Sequence, residues 1–181
     1  GIGMTENDAQ ICFQKHTTSK IKKTNDIMHI NTMGFRGEAL ASIGSIAEVE
    51  LKTKTQNDKI GTLINIDNSK IKKNKKIATA KGTSISVNNL FFNIPARKNF
   101  LKSDLIETKH ILESFTQLAI AHYQIEFKFI NNGKIIHNLS ATNLKQRIVQ
   151  LFGKKYNEKI LPIQEQTSIV KVNGFVGNPL D

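Results

Sequence analysis

Gly34-Phe35-Arg36-Gly37-Glu38-Ala39-Leu40-Ala41-Ser42-Ile43 is the stretch from which the fold of this chain is read. Two glycines bracket Phe35-Arg36, and glycine permits the backbone twists that wrap a small anion. Residues 38–46 are mostly small or apolar and predict a short helix. A helix placed there points its unused N–H groups and positive dipole end back at the loop. The stretch therefore reads as a phosphate cradle, without the lysine of a G-x-x-x-x-G-K-[ST] loop.

The flanks supply the rest of a domain. Residues 5–14 predict a helix capped by Thr5, with Asp8 three residues on. Residues 15–20 (KHTTSK) are polar and hydroxyl-rich and predict a loop. Residues 49–55 and 60–66 alternate apolar and polar as paired strands do, and residues 83–90 form another strand, ended by Asn93-Ile94-Pro95. Residues 104–122 are the longest predicted helix. Asp104 caps it, and Leu105, Ile106, Ile111, Phe115, Leu118, Ala119 and His122 form its stripe. Residues 125–130 and 134–137 flank Asn132-Gly133, a hairpin signal. Residues 143–152 predict a helix that Gly153 ends, and residues 168–176 a last strand. Strands and helices mix without regular βαβ alternation, which favours α+β over a doubly wound sheet.

Composition bounds the function. The 181 residues carry a net charge of +11, and 39% are hydrophobic, including ten Phe, which argues against disorder. Cys12 is the single cysteine, so neither a disulfide framework nor a cysteine zinc site forms within the chain. No apolar run approaches the ~20 residues of a membrane span, and no targeting peptide opens the chain, so a reducing cytoplasm is the default. The opening Gly1-Ile2-Gly3-Met4 reads as part of a longer protein.

The charge suggests a polyanion partner. It also has a plain compositional source, since Lys, Ile and Asn make up 66 of the 181 residues, as an A/T-rich genome produces. Residues 70–81 (KIKKNKKIATAK) hold six lysines and read as a solvated hairpin. Arginine occurs three times, as Arg36, Arg97 and Arg147. In a lysine-biased chain, that hints at a need for the flat guanidinium fork, which binds carboxylate or phosphate bidentately.

The string GFRGEALASI resembles the phosphate-lid motif of the MutL family of DNA mismatch repair proteins. That family shares an ATPase superfamily with gyrase, a heat-shock chaperone and histidine kinases. Three further strings agree in order and spacing. KHTTSKI (15–21) resembles the lid segment, GTSISVNNLFFNIPARKNFL (82–101) the block ending in P-A-R, and Gly1-Ile2-Gly3-Met4 the tail of a D-N-G-x-G box.

The resemblance implies a two-layer α/β sandwich with a mixed, mostly antiparallel sheet, an incomplete Bergerat-type ATPase fold, over residues 1–140. Residues 141–181 would begin a ribosomal-protein-like transducer domain. It implies ATP and Mg2+ as ligands of the full protein. Gly1 and Gly3 would let the backbone approach the adenine. Thr18, Ser19 and Lys20 would lie in the lid. Gly34, Phe35, Arg36, Gly37 and Glu38 would form the loop at the triphosphate, and Ala39 and Leu40 would offer N–H groups. Thr83 would sit beneath the base. Read alone, Glu38 serves the helix dipole, His16 is an exposed loop histidine, and Arg36 pairs with a carboxylate such as Glu38.

The family's general base and magnesium ligand lie upstream of Gly1, and a site-completing lysine lies beyond Asp181. No catalytic residue and no metal ligand is therefore expected within the chain, and the fragment alone is expected not to hydrolyse ATP. In the P-A-R block, Lys98-Asn99 departs from the usual basic pair. Pro95 makes a turn held by Arg97, with Phe91, Phe92, Phe100 and Leu101 as core. Arg97 and Lys98 are the weak candidates for DNA contact. The expected partners are DNA, the mismatch-recognition protein of the same pathway and a second copy of the chain, with no membrane. Two functions remain open at this point: an ATP-driven repair switch, and a basic DNA-binding module without nucleotide chemistry.

Overall fold

The computed structural model describes residues 1–18, 26, 29, 34 and 36–178. The chain divides into two compact units, Gly1–Leu101 and Lys102–Asp181. The sequence places the change of domain later, after residue 140.

In the first unit, helices α1 (Glu6–Ile11) and α2 (Ala39–Ile46) accompany four strands: β1 (Glu48–Lys54), β2 (Gly61–Asp67), β3 (Lys70–Ile77) and β4 (Gly82–Asn88). The strands form one sheet in the order β3-β2-β1-β4, every pair antiparallel. Period-2 alternation puts Val49, Leu51 and Thr53 of β1 on one face, opposite Ile66, Ile64 and Thr62 of β2. That face carries the core of Ala9, Phe13, Ala47, Val49, Leu51, Ile64 and Ile66, against which Met4, Cys12, Leu40 and Ile43 pack. Burying each large aliphatic side chain contributes about 1.5–3 kcal/mol. Thr5 caps α1 by accepting from Asp8 N–H at 3.2 Å, as its sequence predicts, although the helix stops at Ile11. The Cys12 thiol lies 3.3 Å from Ala9 O, and burial pushes its pKa up to about 11.

The lysine-rich stretch is not a hairpin of its own. It is the edge strand β3, exposed along nearly its whole length, and it joins β2 through Asn68-Ser69, whose φ values of 51° and 61° make the tight turn. Lysine weakens the alternation signal, while antiparallel pairing to β2 supplies the backbone hydrogen bonds that hold the strand. After β4, Phe91 N–H donates to Ile46 O at 2.7 Å and Asn93 Nδ2 donates to Ser45 O at 2.8 Å, tying the chain to the end of α2. Pro95 then opens the single turn α3 (Pro95–Asn99) at its first position.

The second unit holds α4 (Asp104–Ala121), the hairpin β5 (Phe127–Asn131)–β6 (Lys134–Leu139), α5 (Leu144–Phe152), α6 (Tyr156–Lys159) and the hairpin β7 (Ile160–Gln166)–β8 (Lys171–Gly177). Ser103, not Asp104, occupies the N-cap of α4 and makes no side-chain cap bond, leaving Asp104 in the first turn. Of the stripe on α4, only Ala119 is buried, and Leu105 is 82% exposed. Asn132 and Gly133, with φ of 48° and 77°, close the β5–β6 turn as expected. Phe115 meets Phe127 edge-on at 6.0 Å and lies 4.9 Å from Phe129 and 5.7 Å from His137 between ring centroids. Asn143 caps α5 through Gln146 N–H, and Gly153 ends it. Strand β7 and helix α6 carry no clear periodicity in the sequence and emerge only in the structure.

Candidate functional site

The first cluster forms where the N-terminal segment meets β1 and β4. Gly3 has φ +81°, and a Cβ there would lie 2.0 Å from Lys54 O, so the backbone passes directly over the end of β1. Beside it, Met4 N–H donates to Thr53 Oγ1 at 2.9 Å. Thr53 is 1% exposed, and its hydroxyl lies 3.0 Å from Gly82 O and 2.9 Å from Thr83 Oγ1. A hydroxyl has one proton and two lone pairs. With its proton on Gly82 O, Thr53 accepts from Met4 N–H and from the Thr83 hydroxyl. Thr83, an exposed residue, then has its proton committed inward and lone pairs facing outward. In that arrangement Thr83 can accept a hydrogen bond from a group over the sheet. Gly1 comes to the same place, its carbonyl 3.7 Å from where a Cβ on Gly82 would lie.

Thr53 is the residue the sequence reading missed. A threonine in phase with Val49 and Leu51, on the apolar face of a strand, is the signal that marks it.

The second cluster joins the loop after α1 to the loop before α2. Gly37 has φ +66°, and a Cβ there would lie 2.0 Å from Thr17 O. His16 Nδ1 lies 3.4 Å from Glu38 Oε1, with both side chains largely exposed. Glu38 is the N-cap of α2, but its side chain makes no cap bond. The carboxylate instead faces the histidine. Ala39 and Leu40 begin the helix, where the first N–H groups have no intrahelical acceptor. Gly34 (φ +66°) and Arg36 are exposed on the same loop, and Thr18 is half-buried. Ser19, Lys20 and Phe35 lie outside the described residues. The structure thus brings Thr17 to Gly37 and His16 to Glu38, and separately Gly1 to Gly82 and Gly3 to Lys54, beside the Thr53–Thr83 pair. Both α1 and α2 pack on the core face of the sheet, against β1 and β2.

Arg97 and Lys98 lie exposed on α3, which has no buried residue. Of the four residues read as core around them, Phe91 is half-buried and the other three are exposed. Phe100 is 80% exposed, and Phe92 and Leu101 are also exposed, because a single helical turn covers little of their surface. Arg147 takes neither carboxylate nor phosphate. Its guanidinium is fully buried in the second unit, donating to Ala119 O at 2.9 Å, Tyr123 O at 3.0 Å, Ile125 O at 2.7 Å and Ser140 O at 3.1 Å. It lies 5.4 Å from the Phe127 ring centroid, and burial lowers its pKa. Among the described residues, no three His, Cys, Asp or Glu side chains gather as a metal site. No helix of the described residues is long and apolar enough to cross a membrane.

No family model matches the chain. Curated relatives do. The DNA mismatch repair protein MutL of Christiangramia forsetii is 52% identical over 179 residues, 99% of this chain and 29% of the relative. The MutL of Bacteroides fragilis is 45% identical over the same shares. The chain spans about 29% of the length of these curated relatives. Among solved structures, an Aquifex aeolicus MutL ATPase domain complexed with ADP matches with a TM-score of 0.68 and 22% identity, over 91% of this chain and 57% of that one. The N-terminal domain of a DNA repair protein matches with a TM-score of 0.74 and 24% identity, over 97% and 55%. These structures share the α+β fold with its antiparallel sheet. On the identity carried along nearly its whole length, the chain belongs to the MutL family of DNA mismatch repair proteins.

Proposed function

We propose that this stretch forms the base-binding and phosphate-binding side of an ATP site. In the complete protein, ATP binding and hydrolysis would switch lid closure and dimerisation, and so coordinate repair factors on mismatched DNA. The observation that carries the reading is the close approach of Gly37 to Thr17, which joins the glycine loop to the hydroxyl-rich segment at the start of a helix. The Aquifex relative bound ADP, which is the same ligand class.

Each residue has a separable task. Gly1 and Gly3 let the backbone come close to the base, and Thr83 accepts a hydrogen bond from an exocyclic amino group or a water bound to it. Gly34, Phe35, Arg36, Gly37 and Glu38 wrap the phosphates, while Ala39 and Leu40 point N–H groups at them. Thr18, Ser19 and Lys20 close over the nucleotide with two hydroxyl donors and a cation, excluding water. ATP selects the closed arrangement by binding it better than the open one.

Glu38 faces His16, so the general base is assigned to another part of the complete protein and not to this carboxylate. Among the described residues no acidic cluster gathers at the site, which would hold Mg2+ mainly through the phosphate oxygens and a ligand from elsewhere in the complete protein. Magnesium, when bound, neutralises charge on the phosphates. The chain alone is accordingly inactive as an ATPase. DNA, the mismatch-recognition protein and a second protomer are the partners of the whole, which works in the cytoplasm. The test is the hydrodynamic size of the complete protein with and without a non-hydrolysable ATP analogue. The wild type should dimerise with nucleotide, and Arg36→Ala should not. Equal response of both would overturn the reading.

A further inference from the structure

We propose that the edge of β3 is a contact surface for a nucleic-acid backbone, with Lys70, Lys73 and Lys75 as the residues that meet phosphate. The proposal rests on the reading of this chain as part of a DNA-repair protein and assigns a surface to that partner. β3 borders the sheet and carries five lysines and no acid in eight residues. The register sorts them. Lys70, Lys73 and Lys75 pair with Asp67, Asn65 and Leu63 of β2, on the face turned away from the core. Lys76 pairs with Thr62 on the helix side and forms an ion pair with Glu6 of α1. Lys72, at the bulge, reaches Asp67 at 3.7 Å. Ion pairs therefore engage Lys72 and Lys76. Among the described residues no carboxylate comes within ion-pair distance of the other three.

Geometry and neighbours favour a phosphate backbone over an acidic protein. The bulge at Lys72 keeps Lys70 on the same face as Lys73 and Lys75, which are alternate residues of the strand, about 6.6 Å apart. That is about two axial steps of one DNA strand, which carries a charge every 3.4 Å or so. Protein-binding surfaces centre on aromatic or Met side chains, and this lysine row has none. On the same face, Glu48, Glu50 and Asp67 line a polar groove of about 370 Å³ on the inner strands. Those carboxylates repel phosphate, so the backbone would follow the strand edge and not cross the sheet. Edge lysines also keep sheets from pairing with one another, but that role alone would leave DNA affinity unchanged.

The experiment is salt-dependent binding of a short duplex DNA by the complete protein, read as fluorescence anisotropy between about 50 and 200 mM salt. Lys70→Gln/Lys73→Gln/Lys75→Gln should weaken binding and flatten the slope of log K against log salt by about 2.7, at about 0.9 per phosphate. The triple Arg variant should keep the wild-type slope. Nucleotide binding, measured in parallel, should be unchanged in both. A wild-type slope in the triple Gln variant would overturn the assignment. If that variant also lost association with the mismatch-recognition partner, the strand would serve an acidic protein surface instead. Absence of salt-dependent DNA binding by the wild type would sink the repair reading itself, which is a distinct result.

Discussion

Thr53 and Thr83 face each other across the β1–β4 pair with their hydroxyl oxygens 2.9 Å apart, one buried and one exposed. The buried hydroxyl also serves Met4 N–H and Gly82 O, so it orients the exposed one. Thr53→Val should leave two part-buried backbone groups without this partner and cost about 1–3 kcal/mol of stability. Thr83→Val should keep the fold and lose about tenfold in nucleotide affinity, some 1.4 kcal/mol, whereas Thr83→Ser should bind like the wild type. Thermal unfolding and equilibrium titration separate the two effects.

Gly34 and Gly37 share φ +66° but not surroundings. Among the described residues, a Cβ at Gly34 meets nothing within 4 Å, while one at Gly37 strikes the Thr17 carbonyl at 2.0 Å. Gly34→Ala should cost only the left-handed strain of about 1–2 kcal/mol. Gly37→Ala should cost more and push the 15–18 segment away, weakening nucleotide binding beyond its effect at Gly34. Equal losses at the two positions would argue against a working contact between the loops.

Arg147 holds four carbonyls at once in the second unit. Arg147→Met should leave them unpaired in a low-dielectric site and lower stability by at least about 3 kcal/mol. Arg147→Lys should recover only part, since an ammonium does not reproduce the planar fork. Denaturant titration of the complete protein, following the transition of this region, checks both.

Burial raises the Cys12 thiol from its ordinary 9.0 to about 11. The neutral thiol is the form the fold favours. Its contribution to stability is therefore complete below about pH 9 and lost as pH rises toward about 11. Only the thiolate reacts, so alkylation by iodoacetamide at pH 8 should be much slower than for an unfolded control, and should rise steeply only as the pH approaches 11. Rapid alkylation at pH 8 would contradict the buried setting.

Much of this architecture was legible because local chemistry and tertiary structure agree. Thr5, Asn143, Gly153 and Asn132-Gly133 do locally what their residue types favour, and the structure keeps each in place. The glycine loop before α2 was legible for the same reason. What was missed depends on partners distant in sequence. β3 is a strand because β2 supplies its hydrogen bonds, which lysine composition conceals. Arg147 reads as an anion binder by residue type, yet carbonyls up to 28 positions away claim its fork. Thr53 acquires its role only when Met4 and Gly82 arrive beside it. Phe100 reads as core by residue type and is exposed, because burial is a property of neighbours and not of the residue.

The most direct test of the nucleotide site is equilibrium binding of a non-hydrolysable ATP analogue with magnesium by the complete protein, comparing wild type with Gly37→Val. The account predicts saturable binding by the wild type and its loss in the variant, with the sheet still folded by circular dichroism. Undiminished binding by a folded Gly37→Val protein, or no binding by the wild type, would contradict it.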